Sequence, residues 1–137
     1  MADKIRRVDY FYFEIDDKPG QGAWLLGQLA DTGVSLLAIT AFPIAGGKTQ
    51  LTVVPEKSDA FVNAANKLGL RHSGAKECFL VQGENRAGAA RTVLKRLSDA
   101  NINCTAANGA AATATHYGLV LFVKPTDATA AARALGI

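Results

Sequence analysis

The sequence predicts an α+β fold in which two copies of a βαββα unit share one antiparallel sheet, with the helices on one face. Three observations predict it. Displaced by 68 residues, the chain lies on itself: Phe11 falls on Phe79, Gly20 on Gly88, Leu26 on Leu94, Leu29 on Leu97, Asp31 on Asp99, Leu51 on Leu119 and Asp59 on Asp127. Each copy then runs through strand-like and helix-like segments in the same order. Hydrophobic residues fill 49% of the 137 positions and charged residues 20%, a balance that supports a buried core rather than disorder.

The elements follow in order. Residues 8–15 are rich in Tyr and Phe and read as a strand, with residues 76–82 as their partner in the second copy. A glycine-containing turn follows each, Asp17-Lys18-Pro19-Gly20 and Asn85-Arg86-Ala87-Gly88. Helical spacing comes next, in Leu25, Leu26 and Leu29 and in Ala90, Val93, Leu94 and Leu97. Gly33 and Asn101 stand where a helix C-terminus needs a residue that tolerates positive φ. Two strands follow in each copy, 35–42 with 49–54 and 103–110 with 117–123, and Ala45-Gly46-Gly47-Lys48 supplies a hairpin turn. The alanine-rich stretch 109–114 favours helix by propensity, but the repeat register places a strand there. Ser58-Asp59 and Thr126-Asp127 are expected to cap a last helix that ends at Leu-Gly.

One strand of the ferredoxin-like βαββαβ pattern is missing from each copy. Too few residues separate Leu70 from Lys76 for another strand, and nothing follows Ile137. The expectation is that the strand at 76–82 closes the first copy and opens the second. The strand at 8–15 does the reverse, around a pseudo-twofold axis in a six-stranded sheet. The repeats divide at 1–70 and 71–137. Both alternating sets in the first strand are apolar: Phe11, Phe13 and Ile15 against Val8, Tyr10 and Tyr12. The same holds for Phe79 and Val81 against Cys78 and Leu80. A sheet covered on one face alternates apolar with polar. These strands therefore predict a covered second face, and a homodimer is expected to cover it.

Composition narrows the function. The net charge of +3 is spread out, and the densest basic run, Lys4, Arg6 and Arg7, is flanked by Asp3 and Asp9, so no nucleic-acid partner is expected. No stretch of about 18 apolar residues suggests a membrane span, and the N-terminus lacks a secretion signal. Cys78 and Cys104 have no metal or redox spacing and read as buried reduced thiols. Together these features point to the cytoplasm. His72 and His116 occupy unmatched positions without nearby ligands and read as surface residues, so no metal is expected. Adjacent Asp16 and Asp17 do not make an acid/base pair, and no catalytic residue or cofactor is expected. Trp24 reads as a packing residue.

The informative segments are the turns before the first helix of each copy. A helix N-terminus carries unpaired N–H groups and partial positive charge, and glycine lets an anionic group approach. The residues there are Asp17, Lys18, Gly20, Gln21 and Gly22, and Asn85, Arg86, Ala87 and Gly88. Ser35 and Asn103 open the second strands. Each also has a plain structural use. Glycine satisfies the turn, Asn85 caps a helix, and Asn103 bonds its own backbone.

These turns, with Leu25-Leu26…Leu29-Ala30-Asp31-Thr32-Gly33-Val34-Ser35-Leu36 and Leu97-Ser98-Asp99-Ala100-Asn101-Ile102-Asn103, resemble ACT domains, small regulatory modules of amino-acid metabolism. The resemblance covers nearly the whole chain, twice. It implies amino-acid binding at the turns, near a domain or subunit interface, and a biosynthetic enzyme as partner. Asn85 and Asn103 match the two asparagines that hold the ligand in a serine-sensing member. The first copy departs from this pattern, with Asp17 and Ser35. The family proline is Ala87 in the second copy, and the apolar residue two after the turn glycine is Gly22 or Ala90.

Three readings remain at this point. The first is a non-catalytic tandem module that binds an amino acid and regulates. The second is a ligand-independent dimerisation scaffold. The third is a small ferredoxin-like hydrolase such as an acylphosphatase, for which Arg86 and Asn85 lack a phosphate-cradling loop.

Overall fold

The structure, a computed structural model, describes residues 3–137. Its strands are β1 (Lys4–Asp16), β2 (Leu36–Ile44), β3 (Lys48–Pro55), β4 (Lys76–Glu84), β5 (Cys104–Ala111) and β6 (His116–Val123). Its helices are α1 (Gln21–Asp31), α2 (Ser58–Lys67), α3 (Ala89–Asp99) and α4 (Ala128–Ala134), the last preceded by a 3₁₀ turn at Pro125–Asp127. The six strands follow the order β2-β3-β1-β4-β6-β5. The fold is α+β. No helix among the described residues is long and apolar enough to cross a membrane.

Two compact units divide the chain. One is Asp9–Lys76; the other is Glu77–Ile137 together with the described residues up to Val8. The long first strand therefore serves both.

In the unit Asp9–Lys76, β3 pairs antiparallel with β1 (Phe13 opposite Leu51) and with β2 (Ala41 opposite Leu51). Period-2 alternation puts Phe11, Phe13, Leu51 and Val53 on one face. Helical periodicity brings Leu25 and Leu29 of α1 and Phe61 and Ala65 of α2 onto that face. Phe61 stacks on Phe11 at 4.4 Å between ring centroids. His72 joins them edge-on, 5.4 Å from Phe61 and 5.9 Å from Phe11, so it is a half-buried member of an aromatic cluster rather than a surface residue. Its Nδ1 lies 2.6 Å from the Ser73 carbonyl. Gly33 and Gly69 end the two helices at positive φ, 81° and 69°.

In the other unit, β6 pairs antiparallel with β4 (Phe79 opposite Leu121) and with β5 (Ala107 opposite Leu121). Phe79, Val81, Leu119, Leu121 and Val123 face Val93 and Leu97 of α3 and Ala131, Ala132 and Leu135 around α4. Residues 109–111 of the alanine-rich segment belong to strand β5, where pairing with β6 overrides their helical propensity, and residues 112–114 lie in the β5–β6 connection. Asn101 (φ 57°) ends α3 as Gly33 ends α1. The helical spacing is displaced by one residue at the start of α3. Ala89 takes the core position and Ala90 is exposed.

Five other expectations need correction. Cys78, Leu80, Val120 and Phe122, on the second face of β4 and β6, are buried within the single chain. Apolar character on both sides of β4 thus requires no second copy. Ser58 is the first residue of α2 rather than its cap, and its hydroxyl donates to Asp9 Oδ2 at 2.7 Å. Thr126 lies inside the 3₁₀ turn, and no side chain caps α4. Trp24 is 55% exposed on α1 and packs into no core. Cys78 is buried as expected, whereas Cys104 is half-buried, and burial pushes its thiol pKa up.

Candidate functional site

The turn from β4 to α3 begins where the Asn85 amide donates to the Thr115 carbonyl at 2.8 Å. That bond ties the turn to the β5–β6 connection. Gly88 then takes φ +78°, a left-handed conformation that L-residues with a Cβ rarely adopt. The strain-free entry this allows sets α3 directly behind the turn, and no side chain caps the helix. The Ala89 N–H donates to the Arg86 carbonyl at 3.1 Å, and the N–H groups that follow it, with the positive end of the dipole, are left for another partner. Asn85 is therefore not a side-chain cap. A Cβ on Gly88 would meet nothing within 4 Å, and the residue is exposed, so the mouth of α3 is open.

Beside it lies a cleft of about 370 Å³. Asn85, Arg86 and Gly88 form one wall and Ala89–Arg91 of α3 the next. Gly109–Ala111 of β5 with Tyr117 and Leu119 of β6 complete it. This volume falls within the roughly 300–1,000 Å³ of small-molecule sites. The small residues of β5 keep the cleft open. At Gly109 a Cβ would stand 2.9 Å from the Gly118 carbonyl oxygen and 3.0 Å from Leu119 Cδ1, so only glycine fits without displacement. A larger depression, about 580 Å³, runs along Arg91, Leu94, Lys95, Ser98 and Asp99. It is open along one helix, and its Lys95–Asp99 ion pair already matches its charges, so it has the weaker claim to a ligand.

The polar end of the cleft is built on Tyr117, which is buried and donates its hydroxyl to Asp3 Oδ2 at 3.0 Å. Burial, then the hydrogen bond and charge of Asp3, push the Tyr117 pKa up to about 12. Arg86 Nη1 stands 3.6 Å from Asp3 Oδ1. Asp3, Gly83, Gly109 and Tyr117 were not singled out from sequence. A glycine inside a strand pattern marks close approach, and Gly83 and Gly109 carry that signal. Asp3 carries none, because it is 80 positions from Gly83 and 83 from Arg86 along the chain.

The turn from β1 to α1 repeats the backbone with other side chains. Gly20 has φ +89°, α1 lacks a side-chain cap, and a Cβ there would also meet open space. Asp17 Oδ1 accepts from the Thr49 hydroxyl at 2.9 Å, and its amide donates to Gly47 O. Beside it Lys48 donates to Asp16 at 2.6 Å, a hydrogen bond that, with the Lys48 charge, holds the Asp16 carboxyl below the usual range. Lys18 is exposed, and the Gln21 amide donates to the Lys18 carbonyl at 3.3 Å. A Cβ on Gly22 would touch Leu51 Cδ1 at an ordinary 3.6 Å, so space for a side chain exists there.

Two predicted residues are not brought to these turns. In β5 and β6, Cys104 faces Val123 while Ala111 faces Tyr117. Asn103, just before Cys104, therefore stands roughly 26 Å along the strands from the end where Asn85 sits, at about 3.3 Å per residue. Ser35 is likewise at the far end of β2, next to the pairing of Leu36 with Pro55, and its carbonyl accepts from the Glu56 amide. Among the described residues no group of three or more His, Cys, Asp or Glu could hold a metal ion.

No protein-family model and no curated protein matches the chain. Solved structures do. Protein BT0572 from Bacteroides thetaiotaomicron is 16% identical with a TM-score of 0.79, over 96% of this chain and 88% of that one. The regulatory subunit of aspartate kinase from Thermus thermophilus, in a ligand-free form, is 14% identical with a TM-score of 0.66, over 98% and 95%. The corresponding subunit from Thermus flavus is 17% identical with a TM-score of 0.59, over 98% and 93%. At these identities the likeness is one of fold, and the fold is ACT-like.

Proposed function

We propose that this chain is a non-catalytic regulatory module that binds a small ligand, an amino acid, at the strand–helix turns, foremost at the second. The observation that carries this reading is the uncapped mouth of α3 at Gly88, opening onto a cleft that also presents Asn85, Arg86 and Tyr117. Fixed N–H groups and a guanidinium suit a carboxylate, and amide and carboxyl groups beside them suit an ammonium. The fold shared with regulatory subunits of aspartate kinase supports the same class of function. Binding at the turn acts by differential affinity for two states of an assembly, which is how such a module regulates an enzyme partner. Asn103 and Ser35 reach a ligand at these turns only from outside their own units. A homodimer is the simplest assembly that supplies them.

Calorimetric titration of the intact chain with single L-amino acids tests the reading. Saturable binding that is lost in Gly88→Val and reduced in Asn85→Ala is the expected result. Silence across all twenty at millimolar ligand sinks it.

One observation favours a scaffold instead. Ile39 and Phe42 on β2, which ends the strand order, are 47% and 43% exposed, and an exposed apolar edge strand offers a pairing surface to another chain. The scaffold reading expects a dimer whose dissociation constant does not respond to any amino acid.

A further inference from the structure

A carboxylate is buried beside Arg86 and Tyr117, two residues that line the cleft. The Asp3 side chain is 8% exposed. Its Oδ2 accepts from Tyr117, but its Oδ1 has no hydrogen-bond donor. The nearest cation, Arg86 Nη1, stands 3.6 Å away and donates instead to the Glu84 carbonyl at 3.4 Å. The chain makes room for this arrangement. A Cβ on Gly83 would collide with the Asp3 carboxylate, so the strand omits a side chain where the carboxylate lies. A buried carboxylate oxygen without a donor destabilises the fold, and such an atom persists where another group completes it.

Resting on the reading of the turn as an amino-acid site, we infer that Asp3 is the ammonium acceptor of that site and that Arg86 is its stand-in counter-ion when no ligand is bound. An incoming zwitterion places its ammonium on Asp3 Oδ1. Arg86, 42% exposed and on a turn, swings from the carboxylate to the ligand's carboxylate, beside the N–H groups of α3. Both charges of the pair are re-paired, and the net charge of the site is that of the ligand-free protein. A ligand with one charge cannot do this. A 2-oxo acid draws Arg86 away and leaves Asp3 without a cation, while adding an anion beside it. An amine displaces Arg86 and leaves the guanidinium without a partner. The site thus selects the zwitterion by the cost of the groups that each analogue leaves unmatched.

The test uses the intact chain and three probes: the L-amino acid that binds best among the twenty, its 2-oxo acid and its decarboxylated amine. The wild type is expected to prefer the amino acid over each analogue by at least tenfold. Asp3→Asn, which keeps an acceptor for Tyr117, is expected to weaken the amino acid by tenfold or more and to erase its preference over the 2-oxo acid. A purely structural role for Asp3 lowers the melting temperature but leaves that ratio unmoved, and this outcome overturns the inference. Equal binding of amino acid and 2-oxo acid by the wild type also overturns it, whether or not the variant folds. If no amino acid binds the wild type, the reading of the site fails and takes the inference with it.

Discussion

The two strand–helix turns share a backbone and differ in how their polar groups are satisfied. Before α1, both carboxylates near Gly20 have a local partner: Asp16 has Lys48, and Asp17 has the Thr49 hydroxyl. Before α3, the groups converge on a cleft, and one buried oxygen of Asp3 lacks a donor. Position by position the substitutions are Asp17 for Asn85, Lys18 for Arg86, Thr49 for Tyr117 and Ile15 for Gly83. The glycine that fixes the entry into the helix is common to both, at φ +89° and +78°. The two turns therefore share what the backbone needs and differ in decoration, with one turn closed on itself and the other left with chemistry to offer.

The comparison breaks most visibly at the strand beside the cleft. Gly109→Ala drives a methyl group to 2.9 Å from a backbone oxygen, which cannot move without opening the β5–β6 ladder. Overpacking of this kind costs about 1–3 kcal/mol. The displaced Leu119 also narrows the cleft, so amino-acid affinity falls together with the denaturation midpoint. The counterpart in the first unit is Ala41, which is exposed. Ala41→Gly is expected to cost only about 0.5–1 kcal/mol, the ordinary penalty of glycine in a strand. Equal losses at the two positions, measured by urea denaturation, would show that the tight fit at Gly109 has no part in holding the cleft.

The next effect is on ionisation. Tyr117, lifted to about 12 from a usual value near 10, is stabilised in its neutral form by burial and by Asp3. Because the folded-state value is the higher one, this contribution to stability is fully present below pH 10 and is lost as pH rises through about 12. In a phenolate absorbance titration, a late step is expected that Tyr117→Phe removes. Asp3→Asn moves that step to lower pH. The first unit has threonine at this position and adds no such step. A titration curve unchanged by Asp3→Asn would detach Asp3 from the cleft.

Much of the fold was legible because the sequence matches itself at a displacement of 68 residues. The start of the alanine-rich stretch is strand against its own propensity, and only alignment with Ser35–Phe42 revealed that. Turn glycines and the positive-φ residues Gly33 and Asn101 were legible because few residues tolerate those conformations. The site was only half legible. Asn85, Arg86 and Gly88 were found because they are contiguous with the glycine. Tyr117, Gly109 and Asp3 were missed because strand pairing, not sequence proximity, brings them there. Asn103 was placed with Asn85 by resemblance. Strand length separates the two, since α3 carries the chain back to the far end of the sheet before β5 begins. His72 was misjudged for a related reason: its aromatic partners are distant in sequence.

The smallest effect belongs to the turn that is closed on itself. Lys48 and Asp16 form a short ion pair, but both side chains are about half exposed, at 47% and 49%. Water screens such a pair, and holding two flexible side chains together offsets part of the attraction. The Asp16 carboxyl is held below its usual range by the hydrogen bond and then the charge of Lys48. A depressed folded-state value contributes stability above the ordinary carboxylate range and loses it as pH falls through the lowered value. Lys48→Met should therefore leave the melting temperature at pH 7 within experimental scatter and flatten slightly its decline in acid. It should also leave amino-acid binding at Gly88 untouched. A marked loss of binding in Lys48→Met would mean that the first turn, for all its internal pairing, is where the ligand sits, and the contrast between the two turns would have to be read the other way round.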